Sequence, residues 1–182
     1  MCCCDARKPK LMTDITSKIA SKLKGLGIYQ VAGGAVGLIL IIWAMLNNQQ
    51  LAGLLILVYL FMLLFFAFSI YCGILCLKKN KNALRLSLLN QILQVIGFAM
   101  FGFAFQFAAG IYLTAGVDLT ESFNLKFGAG ISKFNFNINN ETQRLEVSFN
   151  FVALGLIIFI ERMKKLIKEE DEKYQIASIE AT

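Results

Sequence analysis

The sequence predicts a mainly α-helical integral membrane protein: a four-helix transmembrane bundle with a small three-stranded antiparallel β-meander in the outer loop between spans three and four. Three observations predict this fold. Hydrophobic residues make up 57% of the 182 residues and charged residues only 16%, a balance outside the soluble range. Asp, Glu, Lys and Arg are absent from residues 25–77, 86–116 and 147–160. Residues 123–151, which extend into the last of these runs, alternate apolar and polar side chains.

The same composition argues against several classes of function. The chain contains no histidine, and no carboxylate or lysine lies within an apolar run, so acid–base catalysis has few candidate groups. A net charge of +6 is compatible with nucleic-acid binding, but the basic residues cluster at the ends of apolar runs, which is typical of membrane topology. We therefore expect neither an enzyme nor a nucleic-acid partner, and no metal or cofactor.

Residues 1–24 are predicted to form a cytoplasmic N-terminal segment with a short amphipathic helix. Leu11, Ile15, Ile19 and Leu23 recur every four residues over this segment, which favours a helix lying on the membrane surface. Glycines at 25 and 27 predict a bend before the first span, because glycine costs ~1 kcal/mol in a helix interior. The alternative is a helix that continues directly into that span.

Four apolar segments are predicted to cross the bilayer as helices, and the chain is predicted to form a single membrane domain. They are residues 28–46, 51–77, 86–116 and 147–162. A span requires about 20 residues, so the third run is about ten residues too long and its outer end should stand clear of the lipid. The fourth is short and must borrow apolar residues from the strand-like stretch before it.

The distribution of basic residues predicts the orientation. Fifteen of the 18 Lys and Arg residues precede the first span, follow the second or follow the fourth. The positive-inside rule then places both termini in the cytoplasm, including a tail at 163–182, and the segment 117–149 outside. The expected location is the cell membrane, as a multi-pass protein in contact with the lipid bilayer.

The outer segment is predicted to form three strands. Phe123, Leu125 and Phe127 alternate with Asn124 and Lys126, and two similar runs follow around 134–138 and 145–150. Glycines at 128 and 130 and the polar stretch at 139–142 separate these runs. A three-stranded sheet with one apolar face is a single layer and needs a second one, so we expect it to cover the outer ends of the helices. A binding surface for a partner is the alternative.

Four polar side chains cluster on one face of the third apolar run. Ser87, Asn90, Gln91 and Gln94 fall within an arc of about 100° on a helical wheel. Amides in hydrocarbon require partners, so this face is expected to point toward other helices or water. The pattern favours hydrogen bonding between helices, worth about 0.6–2 kcal/mol per contact, and a polar pathway for a solute is the alternative.

Cysteines and glycines give weaker signals. Cys2, Cys3 and Cys4 lie beside the predicted surface helix and are candidates for lipidation, and an unmodified reduced cluster is the alternative. Gly33 and Gly37 have the Gly-x-x-x-Gly spacing of closely packed helices.

In topology alone, the predicted arrangement resembles that of the tetraspanins. Those proteins carry a Cys-Cys-Gly motif in the large outer loop, whereas residues 117–146 contain no cysteine, so the chain is not assigned to that family. We expect a protein that acts without catalysis, by assembly into a homo-oligomer or with a membrane-protein partner. The alternative is an oligomeric passive channel or small-solute carrier lined by the amides of the third span.

Overall fold

Two long apolar helices are followed by a short helix, an antiparallel sheet and a final amphipathic helix. The computed structural model describes residues 10–47, 53–100, 103–138 and 145–180. Its elements in chain order are α1 (Lys10–Asn47), α2 (Leu54–Leu77), α3 (Ala83–Val95), β1 (Ile96–Met100), β2 (Phe103–Asp118), β3 (Asn124–Ile138), β4 (Glu146–Asn150) and α4 (Phe151–Glu180).

The first two helices pack closely against each other because glycines face each other across the pair. A Cβ on Gly27 would lie 2.8 Å from the carbonyl oxygen of Gly73, and a Cβ on Gly73 would lie 2.7 Å from that of Gly27. The helix α1 continues through Gly25 and Gly27, so the predicted bend is wrong and the alternative of one continuous helix is correct. The close contact with α2 offsets the cost of glycine within a helix.

Two helical segments are long and apolar enough to cross a membrane, by length and composition: Ile19–Asn47 and Ile56–Leu77. This finding does not extend to the third and fourth predicted spans, so the four-helix transmembrane bundle is wrong. The helix α3 has 13 residues and reaches only about 20 Å, whereas the hydrocarbon core is about 30 Å thick. The described residues of the third run that follow Val95 form β1 and most of β2.

This part of the chain forms strands because its side chains alternate in size. From Phe103 to Ala108 each phenylalanine is followed by a smaller residue, so large and small side chains point to opposite faces of an extended chain. The β1 strand also begins at β-branched Ile96, and aromatic and β-branched side chains favour extended backbone. A search for alternating apolar and polar residues does not detect these strands, because nearly every residue in them is apolar.

The fourth predicted span is also divided between a strand and a helix. Residues 146–150 form β4, and α4 begins immediately afterward. The change of structure occurs at Asn150, whose buried side chain caps the helix: Asn150 Oδ1 accepts hydrogen bonds from the backbone N–H of Val152 at 3.1 Å and Ala153 at 3.4 Å. It also accepts one from Leu113 N at 3.4 Å, which ties the start of α4 to β2.

Replacing Asn150 with alanine is expected to destabilise the protein by about 1–2 kcal/mol, because loss of an N-cap leaves backbone donors without a partner. Circular dichroism during unfolding in detergent micelles would measure the free energy of unfolding. Asn150→Asp is the control and should keep most of the stability, because its carboxylate can accept the same hydrogen bonds. Equal stability of the alanine variant and the original chain would contradict the capping role.

The four strands form one antiparallel sheet in the order β1-β4-β2-β3, with an additional pairing of β1 with β2. β1, β2 and β4 therefore pair with one another in a closed ring. Small residues face the interior of this ring: a Cβ on Gly97 would lie 2.7 Å from Ser148 Oγ, and one on Gly116 would lie 2.7 Å from Ser148 Cβ. This sheet replaces the predicted three-stranded meander, because β4 pairs with β1 and β2.

Within the sheet, β3 is one continuous strand and pairs with β2 along its whole length. The predicted break at 128–130 is wrong, because these glycines make room for side chains of β2. A Cβ on Gly130 would lie 2.8 Å from the Tyr112 hydroxyl, and Thr114 Oγ1 donates a hydrogen bond to Gly128 O at 3.2 Å. The predicted separation at 139–142 lies outside the described residues.

The sheet packs alongside α1 and α2, so the predicted cap on their outer ends is wrong. A cluster of aromatic side chains joins them: Phe66 and Phe107 are buried, with ring centroids 5.2 Å apart, and Phe134 packs against both rings. A second apolar cluster joins α4 to the other half of the helix pair, where Ile160 and Met163 pack with Leu23, Leu26 and Cys76.

Candidate functional site

The four polar residues predicted on one helical face lie on α3 and point into the protein. Ser87, Asn90 and Gln91 are fully buried, and Gln94 is nearly so. The opposite face of α3 carries exposed Leu89 and Ile92. The α3 helix therefore presents its polar side to the other helices and the sheet, and its apolar side outward.

A network of hydrogen bonds connects this face to α1 and α2. Ser87 Oγ donates to Gln30 Oε1 at 3.0 Å and lies 3.1 Å from Cys76 Sγ. Asn90 Nδ2 donates to Ser69 Oγ at 3.2 Å, and Ser69 Oγ donates to the backbone oxygen of Gln30 at 3.2 Å. One polar cluster thus joins three helices, and we call it the amide cluster: Gln30, Ser69, Ser87, Asn90, Gln91 and Gln94.

The α2 members of this network were not predicted from the sequence. On α2, small residues follow Ser69 at three, four and seven positions: Cys72, Gly73 and Cys76. Ser69, Gly73 and Cys76 contact α1 or α3, and Cys72 is buried. That spacing of small residues is the signal that could have found this face. Both cysteines are buried and free, whereas Cys2, Cys3 and Cys4 lie outside the described residues.

Gln94 connects the helices to the sheet. Its side-chain Oε1 accepts a hydrogen bond from the backbone N–H of Ala109 at 2.8 Å, and its Nε2 donates to Asn90 O at 3.1 Å. Ala109 is buried on β2, so its N–H depends on this amide for a partner within the protein.

Several atoms of the amide cluster find no hydrogen-bond partner within the part of the chain that the structure describes. They are Nε2 and Oε1 of Gln91, Nε2 of Gln30 and Oδ1 of Asn90. Buried polar groups are nearly always paired, with protein or with water. The cluster offers both donors and acceptors without a formal charge, which suits water or a small neutral solute and supplies no acid or base.

A second polar junction joins α1 to the sheet at Gly33. Ser132, in the left-handed region at φ 51°, donates its hydroxyl to Gly33 O at 2.8 Å and accepts a hydrogen bond from Gly110 N at 3.1 Å. Tyr29 donates its hydroxyl to Ile111 O at 2.8 Å. The two glycines of the predicted Gly-x-x-x-Gly spacing contact different elements: Gly33 faces Gly110 of β2, and Gly37 faces the Phe66 ring of α2.

The outer face of the sheet is apolar and exposed. Alternate residues of β2 and β3 point to this side, and their register places them together. The large members are between 50% and 77% exposed: Ile111, Leu113, Leu125, Phe127 and Ile131. β3 is also an edge strand of the described sheet, so half of its backbone N–H and C=O groups point away from β2.

The opposite face of the same strands carries charged groups that are paired with each other. Lys126 Nζ lies 2.5 Å from Asp118 Oδ2 and 3.3 Å from Glu146 Oε2. Hydrogen bonds from Lys126 and Thr120 hold the pKa of Asp118 well below its usual range, and the bond to Asp118 raises the pKa of Lys126. Lys133 Nζ lies 6.0 Å from the centre of the Tyr112 ring.

Comparison with protein-family models, curated proteins and solved structures finds no match to this chain.

Proposed function

We propose that this chain is a membrane protein that acts by assembling with further copies of itself, without catalysing a reaction. The observation that carries the proposal is the open edge of β3 beside the candidate spans. Gly33, near the midpoint of Ile19–Asn47, contacts Gly110 of the sheet. If α1 crosses a bilayer, the sheet lies at bilayer depth, where each unpaired backbone group costs several kcal/mol and open sheet edges do not occur.

A second copy of β3 suits this edge for two reasons. Two identical strands can pair about a twofold axis, and such an interface closes upon itself. Edge lysines usually discourage strand pairing, but Lys126 is neutralised by Asp118 and Glu146, and Lys133 lies near the Tyr112 ring. Pairing would also bring together the apolar faces that carry Leu125 and Phe127.

The proposed topology is a helical hairpin with both chain termini in the cytoplasm. Lys22 and Lys24 lie at the start of the first candidate span, and Lys78 and Lys79 follow the second. Residues 48–53 between the spans carry no charge, so the basic ends are assigned to the cytoplasm. The packing of Met163 against Leu23 and Leu26 supports placing the C-terminal half of α4 at the same end.

Disulfide scanning of β3 in membranes tests the assembly. Single cysteines at positions 124–131 would be introduced into a chain with Cys2, Cys3 and Cys4 changed to serine. Pairing about a twofold axis should give a maximum in disulfide-linked dimer at one position, with yields falling on both sides of it.

Ile179→Cys on α4 is the matched control, because Ile179 is 73% exposed and Phe127 is 77% exposed. Its yield measures chance collision between copies that share the same membrane. A flat profile along β3, at the level of this control, would overturn the proposal.

A passive path for a small neutral solute is the second candidate. Its support is the set of buried amide atoms without protein partners among the described residues, above all both polar atoms of Gln91. Flux of water or glycerol into proteoliposomes that disappears in Gln91→Leu, which leaves the hydrogen bonds of Gln94 in place, would favour this function. Flux equal to that of empty liposomes would exclude it.

A further inference from the structure

A cleft of about 480 Å³ lies between α1 and the end of α2. Its lining combines apolar and cationic side chains: Ala20, Ser21, Lys24, Cys76, Leu77 and Lys79. No carboxylate is among these described lining residues, so the two ammonium groups have no acidic partner within the cleft. The cleft lies where both candidate spans begin or end, since Ile19 starts the first and Leu77 ends the second.

Lys79 occupies a backbone position that normally favours glycine. Its φ is 53°, and the last turn of α2 closes around it through hydrogen bonds from Lys79 N to Cys76 O at 3.1 Å and from Asn80 N to Leu75 O at 3.0 Å. Helices commonly end with glycine in this left-handed conformation, because a side chain there is strained. Here the position holds a residue whose side chain lines the cleft.

We infer that this cleft binds the phosphate of an anionic phospholipid headgroup. Two lysines supply the charge, the Ser21 hydroxyl supplies a donor, and Ala20 and Leu77 supply an apolar wall for the glycerol and upper acyl carbons. Basic pockets between helices at the cytoplasmic surface recognise such headgroups. The inference does not depend on assembly through β3, but it requires α1 and α2 to lie in a membrane.

Titration with short-chain lipids tests the inference. The full-length protein, purified in an uncharged detergent, would receive dihexanoyl phosphatidylglycerol, dihexanoyl phosphatidylcholine or inorganic phosphate at equal concentrations. The thermal unfolding midpoint should rise with phosphatidylglycerol and stay unchanged with the other two. An equal rise with phosphatidylcholine would show an apolar site, an equal rise with phosphate would show a free-anion site, and no rise with phosphatidylglycerol would show no site. Each of these three results would overturn the inference.

Variants at the cleft distinguish an effect on lipid binding from an effect on the stability of the protein. Lys79→Gly should raise the unfolding midpoint without lipid, because glycine relieves the left-handed strain, yet weaken phosphatidylglycerol binding about fivefold. Lys24→Gln should weaken binding to a similar extent. Lys81→Gln removes the same charge from the same end of the protein without touching the cleft, and should change binding less than twofold. An equal loss in Lys81→Gln and Lys24→Gln would indicate diffuse surface charge and overturn the inference.

Discussion

Replacing Gly33 with alanine is expected to separate the sheet from α1 and to give the largest loss of stability among the changes considered. The added Cβ would lie 2.5 Å from Gly110 Cα and 2.6 Å from the carbonyl carbon of Ala109. These are backbone atoms of β2, so they cannot rotate away as a flexible side chain could. The clash would also break the hydrogen bonds made by Ser132 and Tyr29.

The expected loss is at least about 3 kcal/mol, combining overpacking with unpaired buried polar groups. Equilibrium unfolding in detergent would measure it. Gly25→Ala is a matched control on the same helix, because a Cβ there meets no described atom within 4 Å. This change should stabilise the protein by up to about 1 kcal/mol through helix propensity. Losses of equal size at both glycines would contradict the contact between Gly33 and Gly110.

The second large effect is expected from Gln94→Leu, which should destabilise the protein by about 1–3 kcal/mol. Leucine has a similar size but cannot accept the hydrogen bond from Ala109 N, so a buried donor would lose its partner. The carbonyl oxygen of Asn90 would lose the bond from Gln94 Nε2 as well. Equilibrium unfolding under the conditions used for Gly33→Ala would measure the change.

Gln91→Leu is the matched control, because Gln91 is equally buried on α3 and its polar atoms lack partners among the described residues. Removing such unpaired groups should be neutral or stabilising, by up to about 1–3 kcal/mol. A loss as large as that of Gln94→Leu would contradict this expectation. It would instead indicate that Gln91 binds water or a solute, in agreement with the second candidate function.

The first two helices and the polar face of α3 could be predicted from the sequence. The first two apolar runs are helices, and the one containing Gly33 is the longest element of the described chain. The polar arc of α3, from Ser87 to Gln94, was predicted to avoid lipid and is buried. On α3 the burial pattern was visible because polar and apolar side chains lie on opposite faces, whereas the first two runs were predicted from their length and hydrophobicity. Whether those amides hold the helices together or line a path stays a prediction.

The strands β1 and β2 could not be predicted in this way, although they lie in an equally apolar run. From Ile96 to Val117 the sequence is hydrophobic enough for a span, and hydrophobicity alone does not distinguish a buried helix from a buried strand. The deciding features were the alternation of phenylalanine with small residues and the glycines at 97, 110 and 116. β1 pairs with the adjacent β2 and with the distant β4, and local periodicity carries no information about the distant partner.

The closed ring of β1, β2 and β4 determines the order in which the strands can pair during synthesis. Ile96 pairs with Phe149, so β1 emerges from the ribosome long before its partner β4 exists. The α1–α2 pair can form early, and β1 can pair with β2 through Phe98 and Phe105, but the edges of both strands that pair with β4 must wait. Folding that depends on such distant contacts is slow, and waiting apolar strands are prone to aggregate. Truncation before residue 146 should therefore yield a chain that depends on chaperones or is degraded, even though both long helices are complete.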